Sequence, residues 1–154
     1  MTLQNKIDFA VILRVKNANP NGDPLNGNRP RTDYSGVGEI TDVAIKRKIR
    51  DRLLEQGHPI FVQSDDRKND DATSLQDRAD KVLGKKLTKE AACETWFDVR
   101  AFGQVFAFKS KDKKAGDGVS IPVRGPVSIQ SAFSIEPVSV ISTQITKSGS
   151  GEGD

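Results

Sequence analysis

Ile7-Asp8-Phe9-Ala10-Val11-Ile12-Leu13-Arg14-Val15, followed by Asn17-Ala18-Asn19-Pro20-Asn21-Gly22-Asp23-Pro24, decides how the fold is read. Ile7, Phe9, Val11, Leu13 and Val15 alternate, which is the period of a half-buried strand. Ala10 and Ile12 make the opposite face partly apolar, so the pattern predicts a central strand. The alternation then meets a run of turn formers. Asn17 to Asn28 holds two Asn-Gly pairs, Asn21-Gly22 and Asn26-Gly27, together with Pro20 and Pro24. No apolar strand follows directly, so a long, ordered, functional loop is expected rather than a simple hairpin.

Downstream of the loop, Thr41 or Asp42 is placed to cap a helix running to about Gln56 and closed by Gly57. Ile45, Ile49 and Leu53 recur every fourth residue and form its core stripe, with Val43 and Ala44 at the margin. Phe61 and Val62 read as a short strand, and Ser64 to Asp71 as a charged link. Ala72 to Leu83 and Leu87 to Phe97 read as two modest helices split at Gly84. Val105 and Ala107 alternate with Phe106 and Phe108, and Lys109 to Gly118 is a Lys/Asp/Gly loop expected to be mobile. Val127, Ile129, Ser131, Phe133 and Ile135 alternate again, followed by Val138, Val140, Ile141, Thr143 and Ile145. Strand, loop, helices and then strands make an α+β order with one sheet.

Composition narrows the function classes. At 154 residues the chain suits one domain. Lys and Arg number 24 against 21 acids, a small surplus whose distribution along the chain matters more than its size. Cys93 and His58 are each the only residue of their type, so no internal disulfide, no His/Cys zinc cluster and no usual Ser-His-Asp arrangement is expected. No cofactor or metal is called for. No signal-peptide block is visible, and no apolar run approaches the ~18 residues of a membrane span, which fits a cytoplasmic setting with no membrane partner.

Several groups of residues carry candidate chemistry. Asn side chains and glycine amides in the loop offer neutral donors to phosphate and sugar oxygens, and Arg29 and Arg31 add bidentate charge. The helix places Lys46, Arg47, Lys48, Arg50 and Arg52 within one short segment. Lys46 and Arg50 share one flank and Lys48 and Arg52 another, so the helix can track a phosphate chain. Both features also fit a plain surface loop and a solvated helix face. Phe102, Phe106, Phe108 and Trp96 can stack bases if they face outward, although core packing is the commoner role. Arg124-Gly125-Pro126 permits close backbone approach at a strand entry. Asp23 and Asp33 flank the loop without a paired general base, a weak sign of catalysis, and no Walker A motif occurs.

These motifs together resemble the major backbone subunit of type I-C CRISPR Cascade complexes, the Cas-seven/Csd-two family. The resemblance rests on Asn-Pro-Asn-Gly-Asp-Pro, Asn-Arg-Pro-Arg, Gly-Glu-Ile-Thr-Asp-Val and Lys-Arg-Lys-Ile-Arg-Asp between Val15 and Leu54. Asp98 to Ala107, Arg124 to Gln130 and Ser142 to Lys147 follow in the same order. It implies an RRM-like (ferredoxin-like) palm over residues 1–147, with inserted helices and loops around 60–118 and a disordered tail at 148–154. It further implies a non-catalytic bacterial antiviral-defence protein. Copies of such a protein form a filament along a CRISPR RNA, join other Cascade subunits and present the guide to target DNA. Carried over by motif, the RNA-contact residues are Asn19, Asn21, Arg29, Arg31, Lys46, Lys48, Arg50, Gln104, Arg124 and Gln130. Family members are longer, so the resemblance covers what corresponds to their N-terminal half and leaves the palm incomplete. Two other readings stay open: an endoribonuclease backbone subunit of the type III kind, with a loop Asp assisting cleavage, and a truncated interaction or decoy module.

Overall fold

Turn chemistry, rather than the long alternating run, sets the first sheet of the protein. The computed structural model describes residues 4–108, 120–144 and 146. The chain is α+β and divides into two units, Met1–Ile40 with Phe133–Asp154, and Thr41–Ala132. In chain order the elements are β1 (Gly22–Asp23), β2 (Arg29–Pro30), β3 (Val37–Ile40), α1 (Asp42–Glu55), α2 (Leu75–Val82), α3 (Lys89–Thr95), α4 (Phe97–Phe102), β4 (Gly103–Ala107), β5 (Ser120–Arg124) and β6 (Ala132–Pro137). The strands pair as β1 with β2, β3 with β6 and β4 with β5, an arrangement compatible with a ferredoxin-like palm. The expected loop at 109–118, the end of the last alternating run at Ile145 and the tail at 148–154 lie outside the described residues.

In the first unit, β1 and β2 form a small antiparallel hairpin with Gly22 opposite Pro30 and Asp23 opposite Arg29. Its bend is a 3-10 turn at Pro24–Asn26, capped by the Asp23 carboxylate, which accepts the Leu25 N–H at 3.1 Å. This corrects the expectation that the segment forms no hairpin: the turn formers suffice without an apolar strand, because the arms are only two residues long. A second turn follows at once. Asp33 Oδ1 accepts the N–H groups of Ser35 and Val37 at 2.8 and 2.9 Å, and the Gly36 N–H returns to the Asp33 carbonyl. Gly36 has φ 81°, the left-handed geometry that closes a three-residue hairpin loop.

The alternating residues 7–15 do not join a ladder among the described residues, which corrects the central strand expected there. Ile7, Phe9, Val11, Ile12, Leu13 and Val15 are all exposed, Ile12 at 95%. Alternation records a preference for a sheet face; a strand also needs a hydrogen-bonding neighbour. The later run gives a strand only at β6, where Phe133 and Ile135 point to solvent and Ser134 Oγ accepts the Gly38 N–H at 2.9 Å. Val127 to Ser131 is irregular.

The second unit carries the core. Phe61, Ala79, Ala92, Trp96, Val99, Phe106 and Val123 are buried together. Phe61 stands with its ring centroid 4.7 Å from Trp96 and 5.0 Å from Phe106. Helix α1 starts and ends as its caps predict: Thr41 Oγ1 accepts the Ala44 N–H, and Gly57 follows the last turn with φ 83°. Its stripe of Ile45, Ile49 and Leu53 is only half-buried, and none of its residues is fully buried. Phe61 and Val62 are not a strand, contrary to expectation, because their N–H groups go to the Asp98 carboxylate at 2.7 and 3.0 Å. The helix expected from Leu87 to Phe97 forms as α3 and ends at Thr95, and a second helix, α4, starts at Phe97. Trp96 adopts extended geometry between α3 and α4, and Gly103, at φ 81°, ends the second.

Candidate nucleic-acid interface

Arg29 and Arg31 alternate along one extended segment, so their side chains share a face. The hairpin register continues past β1 and β2 when the Arg31 N–H bonds the Asn21 carbonyl at 3.1 Å, which sets Asn21 opposite Arg31. On the other side, the Glu39 N–H bonds the Arg31 carbonyl at 3.0 Å, and Thr32 bridges to Gly38. The segment from Arg29 to Asp33 is therefore the middle of a narrow ribbon. Its arginine face also bears Asn21 and Glu39. Asn19 is tied in through its side-chain amide, which donates to the Asn28 carbonyl at 2.6 Å. Asn21 donates to the Gly22 carbonyl at 3.2 Å. Neither Arg29 nor Arg31 has a side-chain hydrogen bond or ion pair among the described residues.

This unit thus brings together four of the ten candidate residues: Asn19, Asn21, Arg29 and Arg31. The asparagines fix backbone, the arginines are left with free guanidinium groups, and Asn17 and Asn28 take positive φ values that asparagine tolerates. Both loop carboxylates accept turn N–H groups through Oδ1, Asp23 from Leu25 and Asp33 from Ser35 and Val37.

The other six candidates lie in the second unit, in different settings. Lys46 bonds Asp42 one turn earlier at 3.0 Å, and this hydrogen bond holds the Asp42 carboxyl below the usual carboxylate range. Lys48 is exposed with no partner among the described residues. Arg50 turns inward: its Nε donates to Asp98 at 3.0 Å, and its guanidinium carbon sits 5.2 Å from the Phe102 ring centroid. Asp98 is 1% exposed and accepts three hydrogen bonds, from Arg50 and from the N–H groups of Phe61 and Val62. Arg47 and Arg52 carry surface ion pairs with Asp66 and Glu55.

Strands β4 and β5 pair with Gly103 opposite Arg124 and Gln104 opposite Val123. Gln104 therefore shares the core side with Phe106 and Val123, whereas Arg124 lies on the outward face. Gln130 is exposed in the irregular stretch before β6. Trp96 and Phe106 are core, Phe108 packs edge-on against Phe106, and Phe102 lies under Arg50.

The residues missed by pattern reading are Arg78 and Asp70. Arg78 is 5% exposed, bonds the Asp70 carboxylate through two nitrogens at 2.6 and 2.8 Å, and donates to the Phe61 carbonyl at 2.8 Å. No sequence spacing announces such a clamp. Among the described residues, no group of three or more His, Cys, Asp or Glu is placed to hold a metal ion, and no helix is long and apolar enough to cross a membrane.

The first unit of this α+β chain thus pins its backbone with asparagine and aspartate and leaves two guanidinium groups unpaired among the described residues. A family model described as CRISPR-associated protein Cas7 matches residues 5–154, and the chain belongs to that family. A relative from Haloferax volcanii, itself named CRISPR-associated protein Cas7, is 35% identical over 121 residues. The match covers 73% of this chain and 36% of the relative, so the chain spans little more than a third of the length of that curated protein.

Proposed function

We propose that this chain is the RNA-gripping part of a type I-C Cascade backbone subunit and that it works without catalysis. The observation that carries the reading is the ribbon: among the described residues, Arg29 and Arg31 stand unpaired on one face of a segment whose backbone is hydrogen-bonded on both sides. Held in this way, the backbone loses little freedom when the guanidinium groups meet phosphates, and such contacts carry no base information. Lys48 and Arg124 add outward charge elsewhere on the chain. Asp23 and Asp33 each have a structural role, capping turns through Oδ1, and this supports a non-catalytic reading over a nuclease. In the complex, copies of the subunit line a CRISPR RNA with other Cascade subunits, in the cytoplasm, and base pairing of the guide selects target DNA.

A filter-binding series with unrelated single-stranded RNAs across salt concentrations tests the reading. Binding should fall steeply with salt and depend little on sequence. Arg29→Ala with Arg31→Ala should reduce the salt slope by about 1.4, near 0.7 for each phosphate of a single strand that the protein no longer neutralises. A flat salt response, or no binding, overturns the proposal. Magnesium-dependent cuts at regular spacing that Asp23→Ala abolishes would overturn its non-catalytic part.

A further inference from the structure

Tyr34 is the only tyrosine of the chain, and its side chain is fully exposed. It is not on a loose loop. It occupies the first position of the three-residue turn Tyr34-Ser35-Gly36, and Asp33 closes that turn through its own carboxylate, N–H and carbonyl. The ribbon that ends in this turn is the one bearing Arg29 and Arg31. Two residues, Thr32 and Asp33, separate Arg31 from Tyr34, so their Cα atoms stand at most about 10 Å apart along the chain.

The exposed ring of Tyr34 is not part of the core among the described residues. Rings of this kind bind flat partners, because little conformational freedom remains to be lost. On a ribbon that also carries two arginines unpaired among the described residues, the flat partner that brings negative charge is a nucleotide. We propose that Tyr34 stacks on a nucleobase of the single-stranded RNA whose phosphates Arg29 and Arg31 hold. Stacking accepts every base, so Tyr34 adds affinity without sequence preference and fixes where one base sits relative to the ribbon. This inference rests on the RNA-binding reading above and adds a specific contact to it.

The test is fluorescence anisotropy of end-labelled, unrelated single-stranded RNAs with the purified 154-residue chain, carrying Tyr34→Ala or Tyr34→Phe, over a salt series. Tyr34→Ala should weaken binding about 5- to 150-fold, the range for one stacked base, with the salt slope unchanged, because stacking releases no counterions. Tyr34→Phe should bind like the parent, and ultraviolet crosslinking should join RNA to Tyr34. If the parent binds with a salt-dependent affinity and Tyr34→Ala binds equally well, the stacking contact is overturned while the phosphate grip stands. A Tyr34→Ala defect that comes with a reduced salt slope also overturns it, since the ring would then only position the arginines. If the parent shows no RNA binding, the underlying reading fails first.

Discussion

Lys48 and Arg50 are two residues apart in α1 and differ in what they are free to do. Lys48 is exposed and unpartnered among the described residues, so Lys48→Ala should lower RNA affinity and salt slope without changing stability. Arg50 is bound to buried Asp98, so Arg50→Ala should lower stability as well as binding. Comparing urea midpoints with binding curves separates the two effects. Gly125 is a second residue whose identity is imposed by its neighbours. A Cβ at that position would overlap the Ala101 carbonyl, next to the point where the Val127 N–H bonds the same oxygen at 3.0 Å. Gly125→Ala should therefore cost about 1–3 kcal/mol, as overpacking does, read as a lowered thermal midpoint. The Gly-Pro dipeptide already signalled close approach at this site; only the fold shows that the approaching atom is a helix-end carbonyl.

At the scale of elements, polar contacts tie α1 to its unit alongside its half-buried apolar stripe. Arg50 reaches Asp98, Arg47 reaches Asp66 at 3.1 Å, and Glu55 accepts from Arg67 at 2.7 Å. The surface pairs among these contribute little, a fraction of a kcal/mol each. The buried one matters because its loss strands other groups. Asp98→Ala leaves the N–H groups of Phe61 and Val62 and the Arg50 guanidinium without their acceptor, and should cost about 3–5 kcal/mol. A chemical denaturation curve checks this, and a loss below ~1 kcal/mol would show that water replaces the carboxylate. The helix itself was legible in the sequence from Thr41, its period and Gly57. The tie to Asp98 was not, since 48 residues separate it from Arg50.

On the scale of the whole molecule, the buried residues among those described all lie between Ile60 and Val123, within one unit. The other unit exposes Ile12, Phe9, Ile135 and Ile141 among its apolar residues. An apolar surface of that kind associates. Light scattering should show concentration-dependent association of the purified chain, reduced by Ile12→Lys together with Ile135→Lys; a monomer at every concentration would contradict it. Acid should act on the unit with the core. Arg78 holds the Asp70 carboxyl below the usual carboxylate range through their hydrogen bonds, and burial opposes it. A carboxyl depressed in the folded state contributes stability above its unfolded value, and that contribution is lost as pH falls through the folded one. The urea midpoint should hold above about pH 4 and drop below it, with Asp70→Asn reducing the drop.

By itself, the sequence determined the α+β class, the bounds of α1, the alternation around Phe106 and the family motifs, because caps, periods and turn residues act over a few positions. Tertiary structure decided the rest. Pairing partners are not written in a strand's own alternation, so residues 7–15 kept the pattern of a strand without its ladder. Which cations remain free is also a long-range matter. Arg50 and Lys48 read alike in the helix, and only the position of Asp98 in the fold turns one into a structural tie and leaves the other facing water.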